Sequence, residues 1–194
     1  MSSSKLTIRD LRPSDAEHLA RWQRDLYRYM GELNPQRHRV RATLSDLRKD
    51  TRASLEMLKG MGGFGLIAEL SGRPVGFLLA QLLPAVPHHF RLLLRPELAG
   101  QIDPLFVEAP SRNLGIGTAL CLEAERRLRE AGCDTLTLGV VAENQGAVRL
   151  YASLGYKTTG VRMHKRLSPS PKTWTEVEKQ HGRAFALLGG GRER

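Results

Sequence analysis

Apolar positions along the chain switch between a helical and a strand-like spacing, and the switches mark out its elements. Residues 6–9 read as a short strand. A helix opens at Pro13-Ser14-Asp15-Ala16-Glu17, with Ser14 and Glu17 at the spacing of a capping box. Ala16, Leu19, Trp22, Leu26 and Tyr29 then recur as one helix face. Residues 31–41 form a polar, basic loop. A second helix is expected from near Thr43, with Asp46 in its first turn and Leu44, Leu47, Thr51, Leu55 and Leu58 as its inner stripe. Gly60, Gly62, Gly63 and Gly65 interrupt the chain before a hairpin. Its arms are 66–70 and 74–81, joined at Ser71-Gly72.

A Pro-rich loop, 84–100, leads to a strand over 102–107. A helix over 117–131 carries Leu120, Ala124 and Leu128 on one face and stops at Gly132. Residues 135–141, rich in Val, Leu and Thr, are the most strand-like segment. A short helix with Ala147, Leu150, Tyr151 and Leu154 follows and ends at Gly155. Residues 156–159 and 162–167 read as closing strands. The stretch 168–171, Ser-Pro-Ser-Pro, is a linker. Beyond it Thr173 and Glu176 form a capping pair for a helix striped by Trp174, Val177, His181, Ala184 and Leu188. That helix should dock on its own domain or on a partner chain. The expected organisation is one domain over 5–167 and an appended linker and amphipathic helix over 168–194. No internal repeat is visible.

Composition narrows the class. The 194 residues are 41% hydrophobic and 26% charged, ordinary globular values, and long enough to bury a core without staples. The longest apolar run, 74–87, contains Gln81 and falls short of the ~20 residues a spanning helix needs. The first ten residues lack the apolar core of a secretory signal, so a cytoplasmic location is expected and no membrane partner. Cys121 and Cys133 are too few for a disulfide scaffold and are expected as thiols. His88 and His89 have no third ligand at a useful spacing, so no metal is expected. The outlier is charge: 30 Lys and Arg against 20 Asp and Glu, a net +10. No aromatic-interleaved basic motif accompanies it, and nucleic acid is not expected as a partner.

The chemistry is concentrated between Ile102 and Tyr156. A strand leads into Arg112-Asn113-Leu114-Gly115-Ile116-Gly117 and then a helix. Glycines at a helix entrance let a ligand approach the backbone, and the free N–H groups of the first turn suit a phosphate. Thr118 adds a hydroxyl donor. The dinucleotide fingerprint would require glycine where Leu120 stands, and the phosphate loop's Gly-Lys-Ser/Thr is absent. After the next strand come Asn144 and then Ala147-Val148-Arg149-Leu150-Tyr151-Ala152-Ser153-Leu154-Gly155-Tyr156.

This ordered set resembles the GCN5-related N-acetyltransferase (GNAT) superfamily: an Arg-x-x-Gly-x-Gly loop, the Asn, and the Leu-Tyr…Leu-Gly-Tyr ending. The likeness covers 102–167 best. It implies an α/β (α+β) fold: a mixed, mostly antiparallel sheet of six to seven strands flanked by helices. In that fold a splayed parallel strand pair binds acyl-CoA. It also implies an enzyme that moves acetyl from acetyl-CoA to an amine in a ternary complex. On the family pattern, Phe106 and Val107 match the strand positions whose backbone pairs with the pantetheine arm. The N–H groups of Arg112, Asn113, Leu114, Gly115, Ile116, Gly117 and Thr118 would hold the pyrophosphate. Asn144 and Ala147 would complete the cofactor side, and Tyr151 matches the general acid. The alternative is a GNAT-like module that binds acyl-CoA or a macromolecule without catalysis. Homodimers are common in the superfamily, so a homodimer is a candidate assembly.

The reaction itself sets requirements. An amine with pKa ~10.4 is almost wholly protonated at neutral pH, a handicap of ~4–5 kcal/mol for attack. A base or water chain must take that proton, and Asp103, Glu69 and Glu108 are the candidate carboxylates. A phenol with pKa ~10 stays protonated and can donate to the leaving thiolate. Ribosomal-protein N-terminal acetyltransferases carry a Glu base where Gly139 stands, which argues against that subfamily. The charge excess is +6 over 1–101, zero over 102–164 and +4 over 165–194. None of it falls on the cofactor-binding stretch. It disfavours polycationic acceptors and leans towards a carboxylate-bearing one.

Overall fold

The structure is a computed structural model that describes residues 5–35, 43–83, 97–163, 165 and 174–187. A first compact unit ends at Tyr156 and a second comprises residues 157–194. The first contains β1 (Leu6–Asp10), α1 (Ala16–Leu33), α2 (Leu44–Gly60), β2 (Phe64–Leu70), β3 (Arg73–Leu82) and β4 (Ala99–Val107). It continues with α3 (Ile116–Glu130), β5 (Thr135–Leu138) and α4 (Gln145–Ser153). The second unit contains α5 (Trp174–Leu187), so the appended helix forms; Thr173 and Leu188 lie outside the described residues.

The five strands form one sheet in chain order, antiparallel from β1 to β4 and parallel between β4 and β5. Ser71 and Gly72, both at positive φ, turn β2 into β3 with the twist a tight hairpin needs. Period-two alternation sends side chains to two covered faces. On one face Leu66, Ala68, Leu78, Ala80 and Ile102 pack with Ile116, Leu120, Ala124 and Leu128 of α3. On the other, Ile67, Phe77, Leu79 and Phe106 pack with Leu19 and Trp22 of α1 and Leu58 of α2. Trp22 stacks on Phe77 at 5.9 Å.

The expected stripes of α1, α2 and α3 are their buried and half-buried faces. Thr51 of α2 reaches the interior by bonding its hydroxyl to Gln23 at 2.7 Å. Thr43 caps α2: its hydroxyl accepts from the Asp46 N–H at 3.2 Å, and the Asp46 carboxylate accepts from the Thr43 N–H at 3.0 Å. The cap expected at Ser14 and Glu17 is replaced. Asp15 accepts from the Arg12 N–H at 2.8 Å and from Arg9, while Glu17 reaches across to Arg48 at 2.6 Å.

Two strand expectations are corrected. The parallel partner runs over Thr135–Leu138 rather than to residue 141, because its ladder with β4 ends there. Residues 156–163 form no strand, so the sheet has five strands among the described residues rather than six or seven. His164, Arg166 and Leu167 of the second expected closing strand lie outside the described residues. Val161 and Met163, strand-like by composition, are largely exposed. A β-favouring composition without a pairing neighbour does not make a strand.

Candidate active site

The parallel pair comes apart within the sheet. Strand β4 pairs with β5 only from Ala99 opposite Thr135 to Ile102 opposite Leu138, then runs on alone beside β3 to Val107. At the point of separation β4 is bulged. Asp103 and Pro104 occupy the space that Leu79 alone fills on β3. A bulge bends its strand and sharpens the local twist, and Pro104 offers no N–H to a neighbour. The C-terminal half of β4 therefore has no strand paired to it on the side of residues 139–141, and this unpaired edge is the wedge of the candidate site. A Cβ placed on Gly139 would meet nothing within 4 Å.

Beyond Val107 a single 3-10 turn, Ala109–Ser111, leads into the glycine loop. Asn113 and Gly115 both take positive φ, 62° and 75°, and Gly115 is the N-cap of α3. The first bond of that helix is from the Ala119 N–H to the Gly115 carbonyl at 2.9 Å. The N–H groups of Ile116, Gly117 and Thr118 therefore precede the ladder and face outward at the positive end of the helix dipole. A Cβ on Gly115 would also meet open space. One on Gly117 would lie 3.1 Å from Leu150 Cδ2, so Gly117 serves the packing of α3 against α4. Ile116 anchors the loop in the core and Leu114 stands exposed.

Asn144 is the N-cap of α4, its Oδ1 accepting from the Ala147 N–H at 3.2 Å. That bond commits one side of the amide and leaves the Nδ2 donors unpartnered among the described residues. Two helical turns on, Tyr151 packs against the α3-face core and meets Tyr156 edge-on at 5.8 Å. Burial, reinforced by Cys121 and Asp103, pushes the Tyr151 phenol above its ordinary range. Asp103 keeps solvent access, yet the protein around it desolvates the carboxyl and raises it. Cys121 is fully buried on α3, its thiol pushed up to about 12, chiefly by burial.

Residues 17–156 match the model of the acetyltransferase (GNAT) family. The chain belongs to that family. A mycothiol acetyltransferase of Saccharomonospora viridis is 34% identical over 96 residues, half of this chain but only 30% of that protein. The chain thus spans about a third of that relative's length. Among solved structures, a GCN5-related N-acetyltransferase from Ralstonia eutropha JMP134 aligns with TM-score 0.62 and 26% identity over 84% of this chain and 99% of that one. AAC(6')-Iy in complex with a CoA-based bisubstrate analogue shares the fold. Its TM-score is 0.61 and its identity 17%, over 86% of this chain and all of that one.

Within this GNAT fold the three candidate carboxylates separate. Glu69 is held by Arg9 at 2.6 Å. Glu108 accepts from Arg73 at 2.6 Å and from the Trp22 indole at 3.0 Å. Burial alone would raise the Glu108 carboxyl, but these two donors outweigh it and hold it below the usual range. Asp103 has no hydrogen-bonding or ionic partner among the described residues, and it is the one electrostatically coupled to Tyr151. Phe106 and Val107 point their side chains into the cores on opposite faces, so their contribution to the wedge is backbone. Arg112 places its side chain differently from its loop: its Nε donates to the Val107 carbonyl at 3.0 Å and its guanidinium lies over Tyr29 and Phe106. Tyr29 read only as a stripe residue in the sequence. No local signal ties it to Arg112.

Cys121 and Cys133 are free thiols. Among the described residues no group of three or more His, Cys, Asp or Glu could hold a metal, and no helix is long and apolar enough to cross a membrane. His88 and His89 lie outside the described residues.

Proposed function

We propose that the protein transfers the acetyl group of acetyl-CoA to an amine, with acetyl-CoA in the β4–β5 wedge. The observation that carries this reading is the wedge itself, with Asp103 and the protonated Tyr151 coupled beside it. Three features suit a CoA ligand: the unpaired length of β4, the free N–H groups of Ile116, Gly117 and Thr118, and the open space beside Gly115 and Gly139. The bound thioester supplies the activated acyl group. Phe106 and Val107 offer backbone to the pantetheine arm. The backbone of Arg112, Asn113, Leu114 and Gly115, continuing through Ile116, Gly117 and Thr118, cradles the pyrophosphate. Asn144 offers its Nδ2 donors to the same arm, with Ala147 behind it.

Asp103 takes the proton that the amine must lose. Desolvation raises its pKa, which makes it a stronger base than an ordinary carboxylate. Tyr151 stays protonated and gives its proton to the departing CoA sulfur. Binding without catalysis would require only the loop and the wedge; the placement of Asp103 and Tyr151 favours an enzyme. A cytoplasmic location and a homodimer complete the proposal.

The test is release of free CoA thiol from acetyl-CoA across a panel of amines. Tyr151→Phe should lower kcat by roughly 100-fold or more with little change in the affinity for acetyl-CoA. Tight acetyl-CoA binding without thiol release from any amine or peptide would instead support the binding module.

A further inference from the structure

We infer that the Arg112 side chain reads a carboxylate on the acceptor, so that the preferred substrate is an amine that also carries a carboxylate. The inference rests on the acetyl-transfer reading above and names its substrate class. Its basis is where this guanidinium sits and what it lacks.

Seven of the thirteen described arginines of the first unit pair with carboxylates. Arg9 pairs with Asp15 and Glu69, Arg48 with Glu17, Arg73 with Glu108, and Arg127 with Asp10 and Glu123. Arg112 is ordered by other means. Its Nε is spent on the Val107 carbonyl at 3.0 Å, and its plane is held over Tyr29 at 5.2 Å and Phe106 at 5.9 Å. Stacking on rings fixes a guanidinium without cancelling its charge. The two Nη groups keep their N–H donors, a fork that matches a carboxylate, and no described residue accepts from them.

The position selects the acceptor over the cofactor. Phe106 belongs to the core beneath α1 and α2, and Tyr29 lies on α1. Tyr151 packs on the opposite, α3 face. Arg112 thus stands on the α1 side of β4, beside its Val107 end, where its fork is offered to an acceptor on that face. The backbone of the same residue remains with the pyrophosphate loop. The cationic excess of the N-terminal half acts in the same direction, drawing in an anion at long range.

The experiment compares an amino carboxylate with its decarboxylated twin, for example an amino acid and the corresponding simple amine, by kcat/KM. Wild type should prefer the carboxylate form by roughly 10- to 100-fold, the scale of a charge-assisted hydrogen bond. In Arg112→Met that ratio should fall close to one. Arg112→Lys should recover only part of it, since an ammonium cannot stack and fork in the same way. Tyr29→Ala should lower the ratio by releasing the guanidinium, and Tyr29→Phe should keep it. An unchanged ratio in Arg112→Met, with KM for acetyl-CoA raised instead, would assign the side chain to the cofactor phosphates and overturn the inference. A wild-type ratio near one would overturn it equally. Absence of turnover with every amine is a different failure, of the acetyl-transfer reading. The carboxylate preference would then be read from calorimetric binding of the two twins.

Discussion

The two halves of β4 are continuous in sequence and opposite in use. Residues 99–102 are hydrogen-bonded on both sides, to β3 and β5, and Ile102 and Gly100 are buried. Residues 103–107 are bonded to β3 alone, and the proposed catalytic and binding groups lie around them: Asp103 at the bulge, Tyr151 coupled to it, and Arg112 against Phe106. The first half has satisfied its backbone and carries no reactive group. The second has one edge to spare for a ligand, because a bulge and a proline stop the ladder where they stand. The lesson is that the site comes from interrupted pairing in an otherwise regular sheet.

The largest effect expected from breaking this division is on stability. A Cβ at Gly100 would lie 2.8 Å from Leu136 and 3.0 Å from Leu128. Gly100→Val overpacks the closed half and should cost about 3 kcal/mol. Gly139→Val adds the same atoms past the separation, where a Cβ meets nothing. It should leave Tm within about 2 °C, as surface changes do, while raising KM for acetyl-CoA. Thermal melts and steady-state kinetics on the pair would check this. Equal losses of Tm in both variants would mean the wedge is part of the packed core.

The same division marks what could be read from sequence. The stripes of α1, α2 and α3 were legible because each helix buries the face its own spacing defines. The hairpin was legible because Ser71-Gly72 is a local device. The glycine loop, Asn144 and Tyr151 stood out through their order along the chain. What depended on partners from elsewhere did not. Glu17 reads as a cap, but Arg48 takes it. Glu69 and Glu108 read as equal to Asp103 until Arg9, Arg73 and Trp22 arrive from other elements. The end of β5 at Leu138 follows from β4 turning away, which no residue of 139–141 announces.

The next effect in size concerns the open half alone. If Asp103 takes the amine proton, Asp103→Asn should lower kcat about 100-fold. It should also remove the acid-side inflection of the pH profile. In wild type, activity is lost as pH falls through the Asp103 pKa, and desolvation places that inflection above the ordinary carboxylate value of 3.8. An unchanged inflection in the variant would transfer the role to a water chain.

The smallest effect tests the converse, that paired charges elsewhere in the fold serve stability. Glu123 on α3 is bonded by Arg126 at 2.8 Å and Arg127 at 2.7 Å, and Arg127 also pairs with Asp10 of β1. The bonds from Arg126 and then Arg127 lower its carboxyl from 4.5 to about 2. A lowered carboxyl stabilises the fold above its unfolded pKa, and that contribution is lost as pH falls from about 4.5 towards 2. The group is partly solvated, so Glu123→Gln should cost under about 1 kcal/mol at neutral pH. The deficit in Tm should shrink through that window and vanish near its lower end, with kcat unchanged throughout. A change in kcat would connect the C-terminal part of α3 to the wedge and dissolve the separation between structural and reactive charge on which the comparison depends.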